Sequence, residues 1–242
     1  MLSKSKYKIS IITVCFNAAE TIEETIKSVI EQRYDNWEYI IIDAGSYDGT
    51  LEIIEKYRDK LAYFVSEKDY GLYHAMNKGL EKVTGDIVGI INADDYYYDD
   101  VFIQVANAFE EKDVDNYILW GDIVYRNSRV KGWRENNLRT GAFAPHPSMF
   151  CPKNVYNRIG GYKLWYKILA DYDFMYRAIH KYKLKSIYLP ETIAFFRDGG
   201  VASQNIFRSL AEEMIIKVEY GERKGFAFIQ FILKLIKNYR KL

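Results

Sequence analysis

Asn92-Ala93-Asp94-Asp95 follows the apolar run Ile87-Val88-Gly89-Ile90-Ile91, so two adjacent carboxylates close a strand-like segment. Like charges so close repel, and a hard divalent cation that also grips phosphate oxygens relieves that repulsion. Capping of a following helix is the competing reading, since Asp favours that position. Asp43 ends a second apolar run and opens the turn Ala44-Gly45-Ser46-Tyr47-Asp48-Gly49-Thr50. A carboxylate there either accepts the imide N–H of a nucleobase or organises its own turn. Asp171-Tyr172-Asp173 opens an apolar helical pattern. A carboxylate at such a point can take the proton of an attacking hydroxyl, and Asp171 is read as that base. Asp173, as a first-turn residue complementing the helix dipole, is the rival. Glu67 and Asp69 precede a helix bearing Lys78, which suits either solvent or a phosphate. His146 stands between Pro145 and Pro147, two residues that restrict its backbone. Arg197 precedes Asp198-Gly199-Gly200, a mobile-loop composition that fits a lid over an anionic group.

Such groups act together only if the chain brings them to one place. Residues 8–16 and 38–42 are β-branched and apolar, the pattern of strands buried on both faces. A shorter strand is expected at 61–65 and another central one at 87–91. Helical patterns follow each, carrying Ile22, Ile26, Val29 and Ile30, then Leu51, Ile54 and Tyr57, then residues 72–83. Strand and helix alternating with short links predicts a parallel sheet with helices on both faces. Ligands of such sheets sit at the carboxyl ends of the strands, where Asn17, Asp43, the Glu67–Asp69 loop and Asp94-Asp95 all fall. The second half reads as mixed: helix 100–111, strand 117–125, a polar turn at 126–137, and a short strand at 147–151. Pro152 then starts a helix, Gly160-Gly161 breaks it, and another begins near Asp171. Short strands follow at 187–189 and 193–196, then a helix at 203–219. Residues 1–222 are expected to form one domain, with the parallel-sheet half over about 1–100 and the mixed-topology half over about 101–222.

Composition narrows the function classes. At 242 residues, with 49 % apolar and 16 % aromatic residues, the chain can bury a core without staples. Only Cys15 and Cys151 are present, so no disulfide framework is implied. No signal-peptide pattern or membrane-length apolar run is seen, which sets a cytoplasmic location as the expectation. Formal net charge is +1, from 34 basic and 33 acidic residues, which argues against a general nucleic-acid binder. The charge is unevenly spread. Three lysines fall within 1–8 and six basic residues within 223–242, neither stretch holding an acid, so the body between carries 25 basic against 33 acidic residues. The terminal stretch 223–242 reads as a basic amphipathic helix, suited equally to a membrane surface on the inner face or to a partner subunit.

The ordered motifs resemble the family 2 glycosyltransferases of the GT-A fold, particularly those building bacterial surface polysaccharides. Ile11-Ile12-Thr13-Val14-Cys15-Phe16-Asn17 is similar to the family's opening strand, and Ile42–Thr50 to its IDGGSTDGT motif. Ser66–Gly79 is similar to SEPDxGIYDAMNKG. Asn92-Ala93-Asp94-Asp95 stands at the metal-site motif, His146-Pro147-Ser148-Met149-Phe150 resembles HQSMF, and Ala170-Asp171-Tyr172-Asp173 resembles the acceptor-side EDxD. The resemblance covers about 8–205 and implies an α/β fold with a Rossmann-like, mostly parallel central sheet flanked by helices and a mixed-topology acceptor-side half. It implies an inverting transfer of a sugar from a nucleoside-diphosphate sugar, uridine diphosphate by default. The acceptor would be a hydroxyl of a saccharide or lipid-linked saccharide.

The residue roles implied are equally specific. Asp43 reads the base, with Thr13 (through its backbone) and Asn17 beside the same rim. Asp94 meets ribose or sugar, and Asp95 holds Mg²⁺ or Mn²⁺. Asp69, Lys78, His146 and Arg197 attend the donor, and Asp171 is the base. Three departures stand out: Asn92 replaces the first acid of the metal motif, His74 an Asp, and Pro147 a Gln. A nucleotidyltransferase acting on sugar phosphates would need a Gly-rich basic loop after the first strand, where Asn17-Ala18-Ala19-Glu20 stands instead. A non-catalytic saccharide-binding protein of the same fold is the other alternative, against which the four aspartates argue. No GxGxxG supports a dehydrogenase.

Overall fold

A computed structural model describes residues 6–110, 112–132, 138, 145–199 and 205–238. The glycine loop over 200–203, most of the segment 131–144, and Arg240 and Lys241 lie outside the described residues. β1 (Ile9–Cys15) is enclosed along its whole length because parallel strands flank it: β2 (Trp37–Asp43) on one side and β4 (Ile87–Asn92) on the other. β3 (Tyr63–Ser66) extends the parallel set beyond β2. Alternation along β1 sends Ile9, Ile11 and Cys15 into one apolar layer, and Ile12 and Val14 into the other. α1 (Ile22–Ile30) and α4 (Val101–Phe109) cover the first layer. α3 (Leu72–Leu80), α5 (Lys153–Ile159) and α6 (Ala170–Tyr176) cover the second. α2 (Thr50–Glu55) links β2 to β3. Each fully enclosed Ile or Val contributes about 1.5–3 kcal/mol of burial, which is why these runs read as unbroken apolar strands.

Among the described residues the sheet has nine strands and passes through both halves of the chain. β8 (Met149–Pro152) runs antiparallel to both β4 and β6 (Tyr117–Tyr125). β9 (Lys185–Phe196) lies parallel to β6, and two-residue β5 (Tyr96–Tyr97) pairs antiparallel with β9. Two expectations change here. The segments 187–189 and 193–196 are one strand, whose register against β6 jumps from Gly121–Leu189 to Asp122–Thr192. Pro190 has no N–H to give the ladder, and the bulge accommodates it. The polar turn after 125 is a tight hairpin: Arg126 and Asn127 adopt φ of 49° and 57°, and the chain returns as β7 (Ser128–Val130). Two positive-φ residues without glycine make the twist-matched hairpin turn, which leaves little trace in composition.

The amino ends of the strands are stitched by Glu38. Its carboxylate takes hydrogen bonds from Ser10 Oγ, Thr84 N, Thr84 Oγ1 and Lys8 Nζ. Burial works against ionisation, yet these donors hold the carboxyl down at about 2. The carboxyl ends, at the opposite edge, carry the candidate site. Gly79 lets α3 lie close on β1, since a Cβ there would fall 2.5 Å from Ile12 Cγ2.

After α6 the helix widens over Arg177–Lys181, and the chain returns through β9 to α7 (Ile206–Glu219) and α8 (Lys224–Asn238). α8 docks with an unusual face. Ala227 is buried, Gln230 accepts from Lys217 Nζ at 2.8 Å, and Lys234 pairs with Glu213 at 2.6 Å. Phe226, Ile229, Leu233 and Ile236, one stripe at helical spacing, point to solvent and are each more than half exposed. No described helix is long and apolar enough to cross a membrane.

Candidate active site

The four parallel strands run in spatial order β3-β2-β1-β4, so the chain winds outward from β1 on one side and then returns to its other side. The crevice between the carboxyl ends of β1 and β4 is therefore the point where strand order reverses, the position at which such sheets bind ligands. Val14 is opposite Asn92 there, Cys15 opposite Asp43, and Asp43 opposite Ser66.

Asp43 lies at this edge but beneath its surface. Its residue is 0 % exposed, and its carboxylate accepts from Gly45 N at 2.9 Å, Ser46 N at 2.8 Å and Ser66 Oγ at 2.6 Å. Ser46 Oγ and Cys15 Sγ take the other oxygen. Burial alone would raise its pKa; the Ser46 and Ser66 hydroxyls and the Ser46 N–H outweigh it and lower the pKa. With five donors on its two oxygens, the side chain organises its own turn, the alternative reading of Asp43. Thr13 is corrected in the same way. β2 and β4 enclose it on both sides, opposite Ile41 and Ile91, and its hydroxyl meets that of Tyr39 at 2.9 Å. Asn17 does reach the rim, at φ 48°, where its Oδ1 accepts from Tyr47 N at 3.1 Å and its N–H is given to Ser46 Oγ. The exposed groups around it are aromatic. Phe16 is 55 % and Tyr47 83 % exposed, their rings 6.1 Å apart and edge to face. Motif reading passed over both, although an aromatic residue at the end of a buried strand is itself a signal.

The carboxylates at the end of β4 part ways. Asp95 turns inward, 1 % exposed, and accepts the Arg197 backbone N–H at 2.9 Å. Burial, with Asp94 beside it, pushes its carboxyl well up. Asp94 remains partly accessible, and burial raises its pKa too. Arg197 is brought to the site as a tether: its Nε donates to the Asp94 carbonyl at 2.9 Å and its guanidinium pairs with Glu24 at 2.9 Å. Asn92 gives its amide to Asp95 at 3.4 Å, while its buried Oδ1 has no donor among the described residues. The expected metal role of Asp95 is thus at odds with its enclosure. Of the pair, Asp94 is the carboxylate accessible to a hard cation, whereas Asn92 Oδ1 is itself enclosed. No cluster of three His, Cys, Asp or Glu exists among the described residues. Such a donor set fits Mg²⁺ or Mn²⁺ only with further oxygens from a bound diphosphate and water.

Across the crevice, α3 carries the link to Asp171. Asp69 accepts Gly71 N at 2.7 Å and so shapes the turn into α3, while Lys78 leans back to Glu67 at 3.1 Å. Tyr73, in the first turn, donates its hydroxyl to the Ile168 carbonyl at 2.6 Å and lies 3.0 Å from Asp171 Oδ1. One turn on, Asn77 clasps Tyr162 through both its carbonyl and its N–H, at 2.8 and 2.9 Å. Gly161 permits this approach, since a Cβ there would sit 2.4 Å from Asn77 Oδ1. Asp171 therefore stands at the same edge of the sheet as Asp43 and Asp94. Burial raises its pKa to about 6. The Tyr73 hydroxyl lies against Oδ1, which also accepts the Tyr172 N–H, so among the described residues Oδ2 is left to receive a proton. Asp173 is fully buried against Arg177 at 2.8 Å, Lys163 at 3.0 Å and Tyr220 at 2.9 Å, which makes it a structural hub. His146, in a single 3₁₀ turn packed against Tyr162, is buried with no partner for Nε2 among the described residues, and burial lowers its pKa to about 4, so it is neutral.

The comparisons with known proteins agree with this architecture. A family model described as glycosyl transferase family 2 matches residues 10–188. A PGL/p-HBAD biosynthesis glycosyltransferase of Mycobacterium bovis is 27 % identical over 240 residues, covering 96 % of this chain and 91 % of the relative. Among solved structures, S. aureus TarS 1-349 in complex with UDP-GlcNAc superposes with a TM-score of 0.69 at 17 % identity, covering 96 % of this chain and 73 % of that one. Mannosyltransferase PcManGT from Pyrobaculum calidifontis, in complex with GDP-Man and Mn²⁺, gives 0.67 at 19 % identity, covering 97 % and 75 %. At these identities the structural likeness speaks for the fold.

Proposed function

The chain belongs to glycosyl transferase family 2, and from that membership we propose that it moves a sugar from a nucleoside-diphosphate sugar to a saccharide or lipid-linked hydroxyl, with inversion at the anomeric carbon. The observation carrying this reading is Asp171, a buried carboxylate with a raised pKa held by α3 at the edge of the sheet where Asp94 remains accessible. The base of the donor lies against the exposed Phe16 and Tyr47 rings, in place of the enclosed Asp43. Asp94 would hold a divalent cation together with the donor's diphosphate, and that cation would supply charge neutralisation at the leaving oxygen. Asp69 and Lys78 border the donor sugar, and neutral His146 stays behind the acceptor side as a packing residue.

Asp171 takes the proton of the acceptor hydroxyl through Oδ2 as that oxygen bonds to the anomeric carbon. Tyr73 and the Tyr172 N–H fix the carboxylate for that transfer. Asp173 is committed to Arg177 and Lys163, so α6 provides no free second carboxylate for a covalent intermediate. The reading is tested by thermal denaturation with a panel of nucleotide sugars, with and without Mn²⁺. A UDP- or GDP-sugar is expected to raise Tm only when the cation is present. Stabilisation by a nucleoside triphosphate with a sugar phosphate, or by no nucleotide at all, would overturn it.

The outward stripe of α8 supports a finer reading of the partner. Phe226, Ile229, Leu233 and Ile236 are flanked by Arg223, Lys224 and Lys237, a cationic border suited to anionic headgroups around an apolar face. The chain thus works at a bilayer surface, beside a lipid-linked acceptor. It is expected to float with phosphatidylglycerol vesicles and not with phosphatidylcholine alone, and Leu233→Asp to lose flotation. Failure of the full chain to float, or a dimer that Leu233→Asp dissociates, would show that the face serves something else.

A further inference from the structure

Three consecutive backbone N–H groups, those of Lys167, Ile168 and Leu169, converge on the carboxylate of Glu212 at 2.9 Å each. Glu212 belongs to α7, 43 to 45 residues downstream, and is 5 % exposed. Burial opposes its ionisation, but these N–H groups and Arg208 outweigh it, so its pKa is lowered and it is ionised. The three residues it grips lead directly into α6, whose second residue is Asp171. The Ile168 carbonyl, on the gripped segment, is also the acceptor of the Tyr73 hydroxyl that touches Asp171 Oδ1. One carboxylate therefore fixes both the chain entering the base and the carbonyl that orients the base's phenol neighbour. Leu169 begins α6 without a side-chain cap of its own, and the segment before it depends on this distant acid.

We infer that Glu212 is a positioning residue for Asp171, setting both its geometry and its proton affinity from α7. This deepens the proposed function and rests on Asp171 being the base. Among the described residues, the charged and titratable groups around Asp171 are few. α3 presents Tyr73; the loop after α5 presents Tyr162, with neutral His146 behind it; α7 presents Glu212 paired with Arg208 at 2.9 Å; and Asp173, on α6 itself, is neutralised by Arg177 and Lys163. Glu212 is the negative charge in this set that raises the Asp171 pKa, and burial is the larger cause. Arg208 stands more than half exposed and dilutes that influence.

The pair gives opposite expectations. Glu212→Gln removes the charge, keeps one carbonyl acceptor, and leaves Arg208 unopposed, so the Asp171 pKa should fall by about half a pH unit or more. Arg208→Gln removes a cation that is more than half exposed and leaves buried Glu212 without it, so the Asp171 pKa should rise by a smaller amount. The reading needs no substrate: ¹³C NMR titration of aspartate-labelled full-length protein, with the Asp171 carboxyl assigned by its absence in Asp171→Asn. Turnover of the donor found by the thermal panel is expected to drop at least 10-fold in Glu212→Gln with donor KM unchanged, because the base and not the donor site is disturbed. An Asp171 resonance that titrates alike in wild type, Glu212→Gln and Arg208→Gln overturns the inference, as does a Glu212→Gln protein with wild-type turnover. If Glu212→Gln unfolds, Arg208→Gln decides alone: an upward shift supports the inference and an unmoved or falling pKa overturns it. Failure of the base itself is distinct, being full turnover in Asp171→Asn whatever the titrations give.

Discussion

Asp171→Asn is expected to lower turnover by roughly 10²–10⁴-fold, the usual contribution of a positioned general base, while the protein becomes no less stable. The second half of this expectation follows from the raised pKa. Between the ordinary value of 3.8 and the folded value of about 6, the folded chain binds a proton at Asp171 that the unfolded chain has released. The stability from this group is fully present below pH 3.8 and is lost as pH rises through about 6, where the buried carboxylate ionises. At neutral pH the native side chain therefore destabilises the fold by about 2–3 kcal/mol. Asn removes the charge and keeps a carbonyl oxygen for Tyr172 N and Tyr73, so Tm should rise by a few degrees at pH 7.5. The wild-type rate should fall on the acid side with an apparent pKa near 6. Steady-state transfer and calorimetry check both. Turnover within a few-fold of wild type, or a large fall in Tm, would remove Asp171 from the chemistry.

The same physical contrast explains what could be read from sequence. β1, β2 and β4 were legible because a strand enclosed on both faces is apolar throughout, and that signal survives without any knowledge of its neighbours. The convergence of Asn17, Asp43 and Asp94 on one edge follows from parallel order alone. What sequence left open is which side of the surface each carboxylate takes. Asp43 and Asp94 both end buried strands, yet Ser46 and Ser66 fold over one while the other stays accessible. What sets Asp173 apart from Asp171 is Lys163, Arg177 and Tyr220, residues 4 to 47 positions away, which neutralise and occupy it. Glu212 had no local sign: a lone acid in a charged helix is read as solvated, and only the packing of α7 against the segment before α6 turns it inward. The hairpin at Arg126-Asn127 and the bulge at Pro190 were missed for the opposite reason, being local but lacking the glycine that usually marks such turns.

Asp94→Asn should abolish the cation-dependent part of donor binding, whereas Asp95→Asn should leave most of it. Both residues end the same apolar strand, and a motif would assign the metal to either. The distinction is one of access. Asp95 spends an oxygen on the Arg197 N–H and is enclosed, so reaching a diphosphate would require breaking that bond and turning the side chain out. An Asn at position 95 retains an oxygen for the Arg197 N–H and leaves the tether of β9 in place. Asp94 keeps a partly accessible carboxylate at the end of the same strand. Replacing its carboxylate with a neutral amide deletes the formal charge that opposes the cation. Loss of metal-assisted charge neutralisation on the leaving group should lower turnover by about 10³-fold or more, several kcal/mol of barrier. Thermal shift with UDP, titrated with Mn²⁺, separates the variants. Asp94→Asn should respond to UDP identically with and without the ion, and Asp95→Asn should keep the wild-type difference between the two. The reverse pattern would mean that the donor pulls Asp95 out of its bond to Arg197, and the cation would then belong to the inner carboxylate.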